Sequence, residues 1–205
     1  MLEAVSLACR RGDRELFRDV SFSLQPGELL HVHGPNGSGK TSLLRMLCGL
    51  MAPAAGEVRW RGENIRTLRE DYNRELSYFG HHNAIKDEMN ALENLRVATG
   101  LASQHVSDQE VVTALKQLGL AGRELLPTKV LSQGQRRRVA LARLLLCGAT
   151  LWILDEPLTA LDKAAVALMQ ALMSEHLHNG GMIIYTTHQD MDIKAPSAKR
   201  LELGA

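Results

Sequence analysis

The sequence predicts an α/β fold with an inserted α-helical subdomain, and three observations lead to this prediction. Residues 28–33 have the composition of a buried strand and run into a glycine-rich loop, which a helical pattern follows. The apolar run at 150–154 is typical of a fully buried strand. Residues from about 90 to 127 show helical periodicity without strand signals, so they interrupt an otherwise alternating order of strands and helices.

The first part of the chain is predicted to consist mainly of strands. The expected elements are strands at 2–8, 20–24 and 28–33, a helix at 41–50, a strand around Val58 and Trp60, and a short strand at 76–79. A polar turn at 10–14 separates the first two strands, and Pro26-Gly27 turns the chain into the third. Residues 64–74 are polar and are expected to form a surface link.

The helical subdomain is predicted to occupy about residues 83–132. Ser107 and Glu110 have the spacing of a capping box, an apolar stripe follows, and Gly119 ends that helix. The expected elements after this insertion are a helix at 135–147, the strand at 150–154, a helix from Asp162 to 178, a strand at 182–186 and an edge strand at 199–203. Arg136, Arg137 and Arg138 are predicted to be exposed near the start of the first of these helices.

Composition places the chain among ordinary globular proteins. Its 205 residues suggest one domain, and 45% apolar with 23% charged residues are usual values. The net charge of +1 and 4% aromatic residues give no reason to expect nucleic acid as a partner. No apolar run could span a bilayer and no signal peptide is recognisable, so a cytosolic chain with reduced, buried cysteines (Cys9, Cys48, Cys147) is expected.

The glycine-rich loop has the pattern G-x-x-x-x-G-K-[ST] of a phosphate-binding loop. It comprises Gly34, Pro35, Asn36, Gly37, Ser38, Gly39, Lys40 and Thr41. Backbone N–H groups of such a loop bind phosphate oxygens, and the following helix adds its positive end. Lys40 is expected to reach the β- and γ-phosphates and Thr41 to ligate Mg²⁺. The alternative, an ordinary glycine-rich turn, does not explain why a strand precedes the loop and a helix follows it.

Two carboxylates end the apolar strand at 150–154. Asp155 at a strand tip suits Mg²⁺ held together with Thr41, and Glu156 could act on a water that attacks the γ-phosphate. A solvated acidic turn is the alternative for an isolated pair, but the phosphate loop makes the metal site the better interpretation. His188 follows another strand, where its imidazole could hydrogen-bond the γ-phosphate.

A second anion site is predicted at the start of the arginine-rich helix. Ser132 and Gly134 lie at the N-terminus of that helix, where backbone N–H groups favour phosphate. Because the phosphate loop already surrounds the triphosphate from one side, a second site suggests two chains that enclose nucleotide between them.

Taken together, these motifs resemble the nucleotide-binding subunits of ABC transporters over nearly the whole chain. Residues 131–135 resemble the family's LSGGQ signature, 151–157 its Walker B motif with the catalytic glutamate, 160–162 its D-loop, and His188 its switch histidine. The N-K-x-D motif of small GTPases is missing from the sequence. The resemblance implies a single nucleotide-binding domain over 1–205: a P-loop NTPase (RecA-like) core with a small antiparallel β subdomain and the helical insertion. It also implies an ATPase that uses ATP and Mg²⁺ and works as a homodimer.

The sequence departs from the family pattern at three positions. Gln133 replaces the first glycine of the signature, and His82 stands where the family usually has the Q-loop glutamine. Arg11 stands where the family has an aromatic residue that stacks on adenine. A guanidinium plane can also stack on a base, and an imidazole can accept a hydrogen bond from a metal-bound water. Arg11 and His82 are therefore still expected to bind nucleotide.

Several stretches resemble more closely the family branch that serves cytochrome c maturation, or haem export. They are 80–82 with 85–86, 91–95, 151–157 and 186–189. This resemblance implies a peripheral subunit on the cytoplasmic face of the bacterial inner membrane. The implied partners are integral membrane subunits of the CcmB and CcmC type, with an indirect link to a periplasmic haem chaperone of the CcmE type.

Three other functions are alternatives to this one. An ABC transporter subunit for another solute would share all of the chemistry. A soluble ABC ATPase acting as a clamp in repair or translation is disfavoured because such proteins usually carry two cassettes, a coiled-coil insertion or zinc modules. Direct haem binding by His31, His33, His81 or His82 is disfavoured, because axial ligation needs an open pocket.

Overall fold

The structure is a computed structural model that describes residues 1–102, 104–189 and 191–204. Its strands are β1 (Leu2–Arg11), β2 (Arg14–Leu24), β3 (Glu28–His33), β4 (Ala55–Trp60), β5 (Glu63–Asn64), β6 (Leu76–Phe79), β7 (Leu151–Asp155), β8 (Met182–Thr186) and β9 (Ser197–Glu202). Its α-helices are α1 (Lys40–Leu47), α2 (Ile65–Leu68), α3 (Glu70–Glu75), α4 (Ala91–Leu101), α5 (Asp108–Gln117), α6 (Gln133–Leu146) and α7 (Lys163–His178).

The strands form two sheets, and the predicted α/β fold is confirmed. An antiparallel sheet has the order β2-β1-β4-β5, and a parallel sheet has the order β6-β7-β8-β3-β9. In the parallel sheet β3 pairs with both β8 and β9. Because carboxyl ends of parallel strands meet at one edge, the segments that follow β3, β7 and β8 are brought side by side.

The apolar core lies on both faces of the parallel sheet. Along β7, Trp152 and Leu154 join a cluster with the helices α4 to α7, whereas Leu151 and Ile153 join a cluster with α1 and the antiparallel sheet. This alternation is the period of two that a strand buried on both faces requires. The sheet is therefore held rigidly between two layers, which fixes the edge where the loops meet.

Several predicted elements have different bounds in the structure. The turn between β1 and β2 is shorter than expected, so both strands continue almost to Gly12. The helix after the glycine loop ends at Leu47, followed by Gly49 in the left-handed region at φ 72°. The capping box of Ser107 and Glu110 is confirmed at the start of α5.

The prediction of a polar surface link at 64–74 is wrong. This stretch contains α2 and α3, and Tyr72 is only 1% exposed. The Tyr72 hydroxyl donates a hydrogen bond of 2.7 Å to the carbonyl oxygen of Leu47 at the end of α1. Helices of four and six residues are too short for their periodicity to stand out among charged residues.

The last strand, predicted at 199–203, is found at Ser197–Glu202 at the edge of the parallel sheet, next to β3. The cysteines Cys9, Cys48 and Cys147 are free and buried, as expected. Over the residues that the structure describes, no helix combines the length and the apolar character needed to cross a membrane.

Candidate nucleotide site

The phosphate loop connects β3 to α1 at the carboxyl edge of the parallel sheet. Gly34, Gly37 and Gly39 have positive φ angles of 151°, 83° and 101°. A Cβ atom at Gly34 would lie 2.4 Å from the carbonyl oxygen of Leu203, so no other residue fits there. Lys40 Nζ donates hydrogen bonds to the carbonyl oxygens of Gly34 at 2.6 Å and Pro35 at 3.1 Å, which places its ammonium group over the loop.

The candidate metal ligands contact each other across the sheet. Thr41 Oγ1 donates a hydrogen bond of 2.8 Å to Asp155 Oδ2, although the two residues are 114 positions apart. Asp155 is 4% exposed, and Thr41 and Asp155 both line the same cleft. A hydroxyl and a carboxylate oxygen in contact beside a phosphate loop are hard oxygen donors, so these residues fit Mg²⁺.

Glu156 and His188 are an acidic and a basic side chain that approach each other at the same edge of the sheet. Their Oε1 and Nε2 atoms are 3.5 Å apart, and the Glu156 side chain is more buried than that of His188. The backbone of Glu156 is in the left-handed region, with φ at 52°, and its N–H donates to Thr186 Oγ1 at 3.1 Å. An unusual backbone conformation at this position turns the chain sharply after β7, which directs the carboxylate into the cleft.

An open cleft of ≈ 610 Å³ brings most predicted site residues together. Those that line it are Arg11, Asn36, Gly37, Gly39, Lys40, Thr41, Asp155, Glu156 and His188. Gly34, Pro35 and Ser38 belong to the loop but do not line the cleft. The buried Ser38 hydroxyl has no hydrogen-bond partner within the chain, whereas Pro35 is exposed.

The two adjacent histidines are placed differently from expectation. Both are exposed, but His81 lines the cleft and His82 does not. Their rings contact each other edge to face at 5.5 Å. A role of His82 in nucleotide binding therefore remains a prediction, and it requires that this loop moves toward the cleft.

Ser132 and Gly134 lie at the start of α6, outside the cleft. Ser132 is the N-cap: its Oγ accepts a hydrogen bond from Gln135 N, and Gln135 Oε1 accepts one from Ser132 N. A Cβ at Gly134 would lie 2.9 Å from the carbonyl oxygen of Ala160. Gly134 thus lets α6 approach the loop that follows Glu156, and Ser132 is exposed without lining the chain's own cleft.

The structure adds three residues to the site that sequence reasoning missed. Arg14 lines the cleft beside Arg11. Thr186 is fully buried, donates to Asp155 Oδ1 at 2.7 Å and accepts from Glu156 N.

Arg137 was predicted to be exposed, but it is 5% exposed and contacts Glu156, which corrects that prediction. Arg137 shares a helix face with the core residues Ala140, Leu141 and Leu144, and this spacing is a signal that could have found it.

His31 is partly buried on β3. Its ring stacks on Tyr185 at 4.6 Å, and its Nε2 atom is buried without a partner. Burial lowers the pKa of His31. Among the described residues, no group of three or more His, Cys, Asp or Glu side chains is arranged to hold a metal ion.

The loop, the Thr41–Asp155 contact and the Glu156–His188 pair define a P-loop ATPase. A family model described as ABC transporter matches residues 17–159, and the chain belongs to this family as an ATP-hydrolysing subunit. The solved "Structure of ATP binding subunit of ABC transporter" is similar, with a TM-score of 0.82, 26% identity, and coverage of 92% of this chain and 79% of that one.

Curated relatives make the comparison more specific. The cytochrome c biogenesis ATP-binding export protein CcmA of Nitrosospira multiformis is 57% identical over 202 residues, which are 98% of each chain. The protein of the same name from Dechloromonas aromatica is 54% identical over 204 residues, covering 100% of both.

Proposed function

We propose that this chain is the ATP-hydrolysing subunit of a membrane ABC complex for c-type cytochrome biogenesis. Its work would drive haem export or the release of a haem-loaded chaperone. The observation that carries the proposal is the 57% identity, over 98% of the chain, to a protein named for this process. The proposal treats residues 1–205 as one nucleotide-binding domain with its helical insertion at about 83–132.

The cleft residues divide the work of ATP hydrolysis. The loop N–H groups and Lys40 bind the phosphates, and Thr41 with Asp155 would hold Mg²⁺, which supplies positive charge to the phosphate oxygens when bound. Glu156 accepts a hydrogen bond from the attacking water and orients it. His188, 3.5 Å from Glu156 Oε1, stabilises charge on the transferring phosphoryl group.

The adenine base would lie against the arginines of the β1–β2 hairpin. Arg11 and Arg14 are register partners in this hairpin, both line the cleft, and both are exposed. A guanidinium plane stacks on a base through its face, which is common to adenine and guanine. This geometry supports nucleotide binding with modest base selectivity.

A second copy of the chain would complete the site. Ser132 and Gly134 are at the N-terminus of α6, where N–H groups and the helix dipole favour a phosphate. Because they are outside the cleft of their own chain, they would contact the γ-phosphate bound to the other copy. Closure of two chains over two nucleotides then couples hydrolysis to movement.

A groove on another surface is the proposed docking site for the membrane subunits. It has a volume of ≈ 610 Å³ and lies between α4 and the β6 region. Val97 and Leu101, at 41% and 84% exposure, supply apolar surface there. Met89 also lines the groove, whereas the nearby Ile85 and Leu92 pack against the core. A cytoplasmic segment of a CcmB- or CcmC-type subunit would fill the groove, which would place the chain on the inner face of the bacterial inner membrane.

The test replaces the gene in its source cell by the Glu156→Gln form. We expect covalent haem staining of c-type cytochromes to vanish while haem-loaded periplasmic chaperone of the CcmE type accumulates. The control is Glu175→Gln, which changes an exposed glutamate on α7. Normal cytochromes in the Glu156→Gln strain would contradict the proposal. They would leave the second candidate, an ABC subunit for another solute, which the same cleft would serve.

A further inference from the structure

Arg137 is a buried arginine in the first half of α6, and it contacts three separate segments. Its Nη2 donates to the carbonyl oxygen of Glu156, and its Nη1 donates to the carbonyl oxygen of His81 at 3.2 Å and to Asn83 Oδ1 at 3.0 Å. Its Cζ lies 4.4 Å from the centre of the Phe79 ring. One guanidinium group therefore joins α6, the loop after β6 and the turn after β7.

The buried charge of Arg137 argues against a purely structural role. Burial lowers the pKa of its guanidinium group, while the charges of Asp155 and Glu156 oppose that shift. Its hydrogen bonds go to uncharged oxygens, so neither carboxylate is neutralised by direct contact. A buried cation of this kind is costly compared with apolar packing of similar volume. A role beyond packing is therefore expected for this charge.

The backbone of Glu156 is held from both sides. Its N–H donates to Thr186 Oγ1, and its carbonyl oxygen accepts from Arg137. A residue with φ at 52° keeps this conformation only where its surroundings determine it. The direction of the Glu156 carboxylate thus depends on Arg137, although Arg137 does not line the cleft.

We infer that Arg137 is a positioning residue for ATP hydrolysis, which fixes Glu156 and couples it to the His81–Asn83 loop that borders the cleft. A movement of this loop would pull on the guanidinium group and so shift the Glu156 carbonyl. The inference rests on the ATPase activity of the chain and is independent of the solute or pathway proposed above.

The experiment is a double-mutant cycle with steady-state and single-turnover ATP hydrolysis. The variants are Arg137→Gln, Glu156→Gln and the two combined, with fluorescent ATP binding measured for each. The control is Arg138→Gln, a neighbouring arginine whose hydrogen bond goes to the Leu118 carbonyl oxygen instead. We expect Arg137→Gln to lower kcat about tenfold or more with ATP affinity within about twofold, because the phosphate loop is untouched. In the Glu156→Gln background the same change should cause little further loss.

Equal losses in both backgrounds, or an unchanged kcat, would overturn the inference, because Arg137 would then act independently of Glu156 or not at all. Should Arg137→Gln fail to fold, Arg137→Lys and Asn83→Ala decide the question. Asn83→Ala removes one acceptor of the guanidinium group and should lower kcat with unchanged ATP affinity. Retained full activity in both of these variants would count against the inference. Absence of hydrolysis by the unmodified chain would instead contradict the ATPase assignment.

Discussion

Thr186 and Asp155 form a buried hydrogen bond of 2.7 Å between neighbouring strands, with the Thr186 hydroxyl as donor. The Thr186 hydroxyl oxygen also accepts a hydrogen bond from the backbone N–H of Glu156. One threonine therefore orients both the proposed metal ligand and the proposed catalytic glutamate. The contact leaves the other carboxylate oxygen of Asp155 for Thr41, at 2.8 Å.

We predict that Thr186→Val lowers kcat about tenfold or more. The substitution keeps the shape of the side chain but leaves an oxygen of Asp155 without its donor, which costs about 1–3 kcal/mol for a buried group. It also removes one of the two acceptors of the Glu156 N–H, which keeps only the Thr186 carbonyl oxygen at 3.2 Å. ATPase assays at saturating MgATP measure the effect. Thr99→Val is the matched control, because Thr99 is also buried and its hydroxyl donates to the backbone of its own helix. Equal losses of activity in both variants would show a general effect on stability.

We predict that Ser132→Arg abolishes turnover while ATP affinity of the single chain stays within about threefold. A bulky cation at the start of α6 would prevent a second chain from closing over the nucleotide, but Ser132 does not line the cleft of its own chain. Loss of the N-cap itself costs about 1 kcal/mol. Ser107→Arg removes an equivalent capping box from α5 and serves as control. A parallel fall of affinity and turnover would contradict the trans role of Ser132.

We predict that Leu101→Asp releases the chain from membranes without changing its ATP affinity. Leu101 is 84% exposed in the groove between α4 and the β6 region, so a carboxylate there should oppose docking of an apolar segment at little cost in folding stability. Fractionation of cells and binding of fluorescent ATP measure the two properties. Leu125→Asp changes another leucine, 73% exposed and outside the groove. If both variants stay with the membrane fraction, the groove is not the docking site.

We predict that the free energy of unfolding falls as the pH drops from 7 to 5, partly through His176. Burial lowers the pKa of His176 below its ordinary value of 6.5. The unfolded chain therefore binds a proton in this range that the folded chain excludes. The contribution of His176 to the free energy of unfolding is thus present above about pH 6.5 and is lost as the pH falls below it. His176→Phe should keep the stacking on Trp152, now 4.0 Å between ring centres, and flatten the pH dependence. Urea denaturation at each pH measures the free energy of unfolding, and His178→Phe, a change at an exposed histidine on the same helix, is the control.

The sequence was sufficient for those parts of the site that depend on local chemistry. The phosphate loop is recognisable because its glycines and Lys40 must stand at fixed spacing within one short stretch for the backbone to wrap an anion. The strand ending in Asp155 was likewise evident, since its residues are apolar on both faces.

Residues whose roles depend on tertiary contacts were harder to predict. All of β8 is buried, so its pattern does not distinguish Thr186 from its apolar neighbours. Three consecutive arginines lie in the first half of α6, and only the helical spacing of Arg137 from the core residues further along separates it from its two neighbours. The choice between His81 and His82 depends on a backbone bend, which a residue pattern does not encode.

The segment after β9 lies against the phosphate loop. Leu203 N donates to the His33 carbonyl oxygen at 2.8 Å, and the carbonyl oxygen of Leu203 packs on Gly34. During synthesis on the ribosome, the phosphate loop is complete more than a hundred residues before Leu203 can pack on it. The phosphate loop therefore gains this packing contact only after residue 203 has left the exit tunnel.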